Sequence, residues 1–159
     1  MLVVPQSLLD EFKKPDPCLP AVEAKPQLTA ILSTTDLAET RKLFYLASPY
    51  SKYPGGPDRA HEVICRIAAQ LIREGVAVFC PIAHLHPIAT YGHMDPLAHD
   101  IWLQVDEPLM RECDAMLIAE MAGWKESYGI SREIEFFVEA GKPVWRLSLK
   151  DWHVLPHRL

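Results

Sequence analysis

Residues 42–50 read KLFYLASPY. Five uncharged residues, Leu43 to Ala47, run into Ser48 and Pro49, as a buried strand does when it opens into a loop. Outward from it the chain alternates. PGGPDRAHEVICRIAAQLIREG follows, with Asp58 a plausible N-cap and an apolar stripe of Val63, Ile64, Ile67, Ala68, Leu71 and Ile72. Gly75 suits the position just past the helix end. VAVFCP reads as a second buried strand, DAMLIAEM as a third and PVWRLSL as a fourth, with a helix after Ser127 that Gly141 and Pro143 terminate. Strands alternating with helices of this length predict an α/β fold. The expected form is Rossmann-like (flavodoxin-like), a three-layer α/β/α arrangement with a parallel sheet of four to five strands. Ligands in such sheets sit outside the carboxyl ends of the strands, so the loops after Leu46, Cys80 and Met121 share one rim.

The whole chain, 159 residues, is the size of one domain. Residues 1–40, broken up by Pro5, Pro15, Pro17, Pro20 and Pro26, read as an arm with at most short helical turns near Leu8–Phe12 and Asp36–Lys42. Residues 41–150 read as the domain and 151–159 as a tail. A formal net charge of −5 argues against a nucleic-acid partner. Cys18, Cys65, Cys80 and Cys113 lie far apart with no CxxC pair, as unpaired thiols in a reduced cytoplasm do. No apolar run approaches the roughly 20 residues that span a bilayer, and no signal peptide is visible. A cytoplasmic protein without a membrane partner is expected.

The stretch WKESYGISREIEF, Trp124 to Phe136, holds two glutamates two positions apart, which cannot share a helix face. Wound at about 3.6 residues per turn, Ile130, Ile134, Phe137 and Val138 fall on the stripe toward the sheet. Glu133 lies along the edge of that stripe; Glu135 and Glu139 point to solvent. Side chains on a helix lean toward its N-terminus, so the Glu133 carboxylate aims at the ligand rim. It is either a helix-start glutamate that complements the dipole or a catalytic group. Ser127 is a natural N-cap and Gly129 permits close approach to the backbone, so this helix start can hold a phosphate or simply be capped.

Asp106 opens DEPLMRECD, where it caps a short helix with Pro108 in the first turn on the structural reading. His84, His86, His93 and His99 follow the second strand in a proline-containing loop. Their H-x-H spacing falls short of a metal site, so no metal and no cofactor are expected, and His86 is a ligand-lining candidate.

With FYLASPY, HDIWLQVDEPLMRECDAMLIAEM and GWKESYGISREIEFFVEAGKPV in place, the chain resembles the nucleoside 2-deoxyribosyltransferase-like superfamily from about Leu43 to Leu147. It is most similar to the branch of nucleoside 5′-monophosphate N-glycosidases and related uncharacterised bacterial and phage domains. The matches are Y-L-A-(G/S)-P at Tyr45 to Pro49, the spacing of Asp106 to Asp114, and S-x-G-x-x-x-E at Ser127, Gly129 and Glu133. The resemblance implies catalytic Glu133, Asp106 and Tyr45, with Ser48, Pro49, Ser127, Gly129, Trp124 and His86 at the substrate. Trp124 is either a base contact or rim packing. Glu133 is the implied nucleophile on the anomeric carbon C1′ of a small-molecule nucleotide or nucleoside, and Asp106 positions the sugar or assists the departing base. Hydrolysis of the base–sugar bond is the expected reaction; base exchange and a non-catalytic nucleotide-binding module are the alternatives. A homodimer or higher homo-oligomer is also implied.

Overall fold

In the computed structural model, residues 31–158 are described. They form β1 (Leu32–Ser33), α1 (Thr34–Glu39), β2 (Leu43–Ala47), α2 (Gly56–Arg73), β3 (Ala77–Phe79) and α3 (Pro81–Tyr91). There follow α4 (His99–Glu112), β4 (Ala115–Ala119), α5 (Tyr128–Glu139), β5 (Val144–Leu147) and β6 (His153–Pro156). The sheet order is β1-β6-β5-β4-β2-β3. Strands β3, β2, β4 and β5 are parallel, β6 runs antiparallel to β5, and β1 runs antiparallel to β6.

The α/β class therefore stands, while the expected parallel sheet of four to five strands becomes a mixed sheet of six. The cause is connection length. A parallel crossover takes about a dozen residues or more. Only residues 148–152 separate β5 from β6, so the chain turns straight back, with Trp152 at a positive φ of 58°. β6 falls within the segment read as a tail, and β1 with α1 within the segment read as an arm. Residues 1–30, including the turn expected at Leu8–Phe12 and Cys18, lie outside the described residues.

Successive strand residues point to opposite faces, and the core divides accordingly. Phe44, Leu46, Leu117 and Ala119 pack with Leu37 of α1 and Ile64 and Leu71 of α2. Tyr45, Ala47, Met116 and Ile118 pack with Met110 of α4 and Ile130 and Phe137 of α5. Strand β4 is buried along its whole length, which explains why DAMLIAEM carries no polar alternation. From β2 the chain steps outward to β3, then crosses back to β4 on the other side. The switch falls between β2 and β4, where a crevice opens beyond the strand ends.

Several local expectations change, and Ile72 and Val138, expected on the buried stripes of α2 and α5, are exposed. Gly55 rather than Asp58 is the N-cap of α2, because Gly55 and Gly56 both hold positive φ (94° and 83°) before Pro57. The histidine segment is largely helix, with His93 (φ 53°) left in the loop between α3 and α4. Pro81 begins α3, and Pro87 sits inside it, where it leaves the Ala83 carbonyl without its helical donor; His61 bonds that carbonyl instead. Asp106 lies inside the longer α4 instead of capping a short helix. Gly75 (φ 85°) and Gly141 (φ 68°) end α2 and α5 as expected. Among the described residues no helix is long and apolar enough to cross a membrane.

Asp114 ties the start of β4 to β2: its Oδ2 accepts from Leu43 N at 2.8 Å, and its own N–H donates to Leu43 O at 2.8 Å. Asp114→Ala removes the first bond and keeps the second. Urea denaturation is expected to show a loss of about 1 kcal/mol with an unchanged slope.

Candidate active site

Tyr45 is fully buried on β2, its ring tilted against Phe79 (6.1 Å between centroids) and Phe137 (5.6 Å). Packing leaves its hydroxyl one direction to take. It donates to Glu133 Oε1 at 2.8 Å. Glu133 reaches this point because Ile130, Glu133 and Phe137, spaced three and four apart, are the buried residues of α5. Glu135 instead pairs with Arg132 on the exposed side.

Burial raises the Glu133 carboxyl to about 8; the Tyr45 hydrogen bond opposes the rise and the nearby Asp106 charge adds to it. Asp106 rises to about 7, again through burial and again held back by Tyr45. The Tyr45 hydroxyl is itself pushed well above its ordinary value by burial, then by Glu133 and Asp106. Two carboxyls and one phenol thus form a coupled set that holds a proton near neutrality.

The two carboxyls face a cleft whose empty volume, open mouth included, is about 810 Å³, the size of small-molecule sites. Glu133, Asp106, Ser48, Ser127, Gly129 and His86 all line it. Ser127 caps α5 by accepting from Ile130 N at 3.5 Å. A Cβ on Gly129 would meet only Ser127 Oγ, at 4.0 Å, so the helix start is open on that side. The arrangement offers amide donors and a partial positive charge at one end and two carboxyls at the other. Such a cleft suits a ligand with an anionic group and a reacting carbon that develops positive charge.

Three expected residues do not line the cleft wall. Tyr45, fully buried, meets it only through Glu133. Pro49 is absent from the lining. Trp124 packs against the α5-side core and stands edge-on to His157 (6.3 Å between centroids). His86 does line the cleft, sharing a 2.8 Å hydrogen bond with the Tyr50 hydroxyl and stacking on His61 at 4.2 Å. Burial, then His86, pushes His61 below its ordinary value. Among the described residues no three His, Cys, Asp or Glu side chains gather as a metal site would need. Tyr50, Leu85 and Trp102 also line the wall and were not singled out in the sequence. Tyr50 directly follows Pro49 in KLFYLASPY, a signal available there; Leu85 and Trp102 carry none, since their helices α3 and α4 had not been delimited.

The sequence model of a domain of unknown function (DUF1937) matches residues 42–149, which span β2 to β5 and hold every side chain of the cleft. No curated protein matches the chain.

A carboxyl raised on folding takes up protons that the unfolded chain would release, so its contribution to stability is fully present below the unfolded value and is lost as pH rises through the folded one. For Glu133 that window runs from about 4.5 to about 8. Glu133→Gln keeps an acceptor for Tyr45 and cannot ionise. The variant is expected to match the wild type near pH 4 and to exceed it by on the order of 2 kcal/mol at pH 8, in denaturation midpoints measured across pH.

Proposed function

Since the chain belongs to the DUF1937 family, whose description names no activity, we propose a function from the site itself: an N-glycosidase that hydrolyses the base–sugar bond of a nucleoside 5′-monophosphate or related nucleotide. The observation that carries it is the buried Tyr45–Glu133 hydrogen bond with Asp106 beside it, both carboxyls lining a switch-point crevice. Resemblance to the nucleoside 2-deoxyribosyltransferase-like superfamily in Tyr45, Asp106, Ser127 and Glu133 supports the same reading. So does the order of the parallel strands, β3-β2-β4-β5, which fits a flavodoxin-like core extended by β6 and β1 at one edge.

In the reaction, Glu133 acts ionised. Its charge stabilises the oxocarbenium-like transition state, and its oxygen bonds C1′ as the C1′–N bond breaks. The departing base leaves poorly as an anion, and Asp106 supplies a proton to it. Tyr45 donates directly to Glu133, a bond that favours charge on Glu133 and offsets part of what burial adds. Water activated by the now ionised Asp106 then opens the glycosyl ester and restores both groups. The 5′-phosphate sits at the start of α5, beside Ser127 and the backbone of Gly129.

Release of free base from a panel of nucleoside 5′-monophosphates, resolved by chromatography, tests this. Wild type is expected to turn over at least one of them, and Glu133→Ala to lose about 10³-fold or more in kcat. Tyr45→Phe should cost about 10- to 100-fold and shift the proton toward Glu133. Equal inactivity of wild type and Glu133→Ala across the panel would defeat the enzymatic reading. Product that forms only when a second base is supplied would make it a transferase.

A further inference from the structure

Among the described residues, three buried side-chain polar atoms have no hydrogen-bond partner: Ser48 Oγ, Asp106 Oδ1 and Arg146 Nε. Two of the three, Ser48 Oγ and Asp106 Oδ1, belong to residues lining the same cleft. Ser48 is 7% exposed and Asp106 6%. An orphaned buried polar atom typically costs about 1–3 kcal/mol, and native proteins keep few of them. Several other polar groups of the site are engaged within the protein. The Tyr45 hydroxyl is bonded to Glu133, Ser127 Oγ to Ile130 N, and the Tyr50 hydroxyl to His86.

The two orphans differ in what they need. An unprotonated carboxyl oxygen takes only a donor, whereas a serine hydroxyl both gives and takes. A phosphate dianion has no donor for Asp106 Oδ1. The base takes the Asp106 proton as it leaves, so it meets that carboxyl as an acceptor. What remains is the sugar, whose hydroxyls are each donor and acceptor. A 2′-deoxyribosyl group attached through C1′ and phosphorylated at C5′ carries one free hydroxyl, at C3′. A ribosyl group carries two on adjacent carbons, enough for both orphans.

Resting on the N-glycosidase reading above, we propose that the cleft is built for a vicinal diol: Asp106 Oδ1 and Ser48 Oγ each hold one of the two ring hydroxyls of a ribosyl 5′-phosphate, which makes the substrate a ribonucleotide in preference to a 2′-deoxyribonucleotide. Ser48 is then a specificity-determining residue. A site that hydrogen-bonds a substrate hydroxyl rejects the analogue lacking it far more strongly than an apolar pocket rejects a missing methylene, because the protein group is left buried and unpaired.

Titration calorimetry with ribose 5-phosphate and 2-deoxyribose 5-phosphate tests this without requiring turnover. Wild type is expected to bind ribose 5-phosphate at least about tenfold more tightly, the equivalent of one good hydrogen bond. Ser48→Ala removes an atom that bonds nothing in the protein, so its melting temperature should equal or exceed that of wild type. Its affinity for ribose 5-phosphate should fall about tenfold. Equal binding of the two sugars by wild type, or undiminished ribose 5-phosphate binding by a folded Ser48→Ala, overturns the diol and leaves the N-glycosidase reading standing. Binding of neither sugar phosphate overturns both.

Discussion

The hydrogen bond from the Tyr45 hydroxyl to Glu133 Oε1 joins the strand at the centre of the topological switch to the helix that follows β4. Everything near it is arranged so that a carboxylate can be kept where a carboxylate is costly. Phe79 and Phe137 hold the phenol ring, Ile130 and Phe137 bury the glutamate face of α5, and Ser127 fixes where that helix begins. Replacing Glu133 by a residue of like size and no charge would suit the packing better. An ionisable group buried at such a cost, with a second one beside it, makes the kind of pair that the proposed reaction needs.

Polarity in the cleft is graded. At the start of α5 the helix dipole and Ser127 favour an anion, and at Glu133 and Asp106 the protein favours a developing cation. The apolar wall from α3 and α4 lies beside them, where Leu85, Trp102 and Leu103 give a flat ligand group a dry surface. This ordering of anion, cationic carbon and planar group matches the parts of a nucleotide. It arises because strand ends, helix starts and the α4 insertion all converge at one switch point.

The sequence made much of this legible, and the limits have physical reasons. Glu133 and Glu135 were separable because helical winding is local: a spacing of three from Ile130 and four to Phe137 suffices to bury one and expose the other. Ser127, Gly75 and Gly141 were readable for the same reason, each being a helix end with its own chemistry. The antiparallel β6 was not, since its pairing depends on a short return from β5 and not on any pattern within residues 153–156. Helix α3 was hidden by Pro81, Pro87 and a histidine-rich composition, because the donor lost at Pro87 is compensated from another helix through His61. Trp124 illustrates the converse: an aromatic on the rim has no periodicity to say which way it faces, and it packs inward.

Whether Glu133 attacks an anomeric carbon is best settled by a crystal structure of Glu133→Gln soaked with a nucleoside 5′-monophosphate. The account predicts C1′ at about 3–3.5 Å from the side chain of residue 133, with phosphate oxygens on the first-turn amides of α5 beside Ser127. A nucleotide bound the other way round, with its base against residue 133 and its phosphate toward α3, would contradict it.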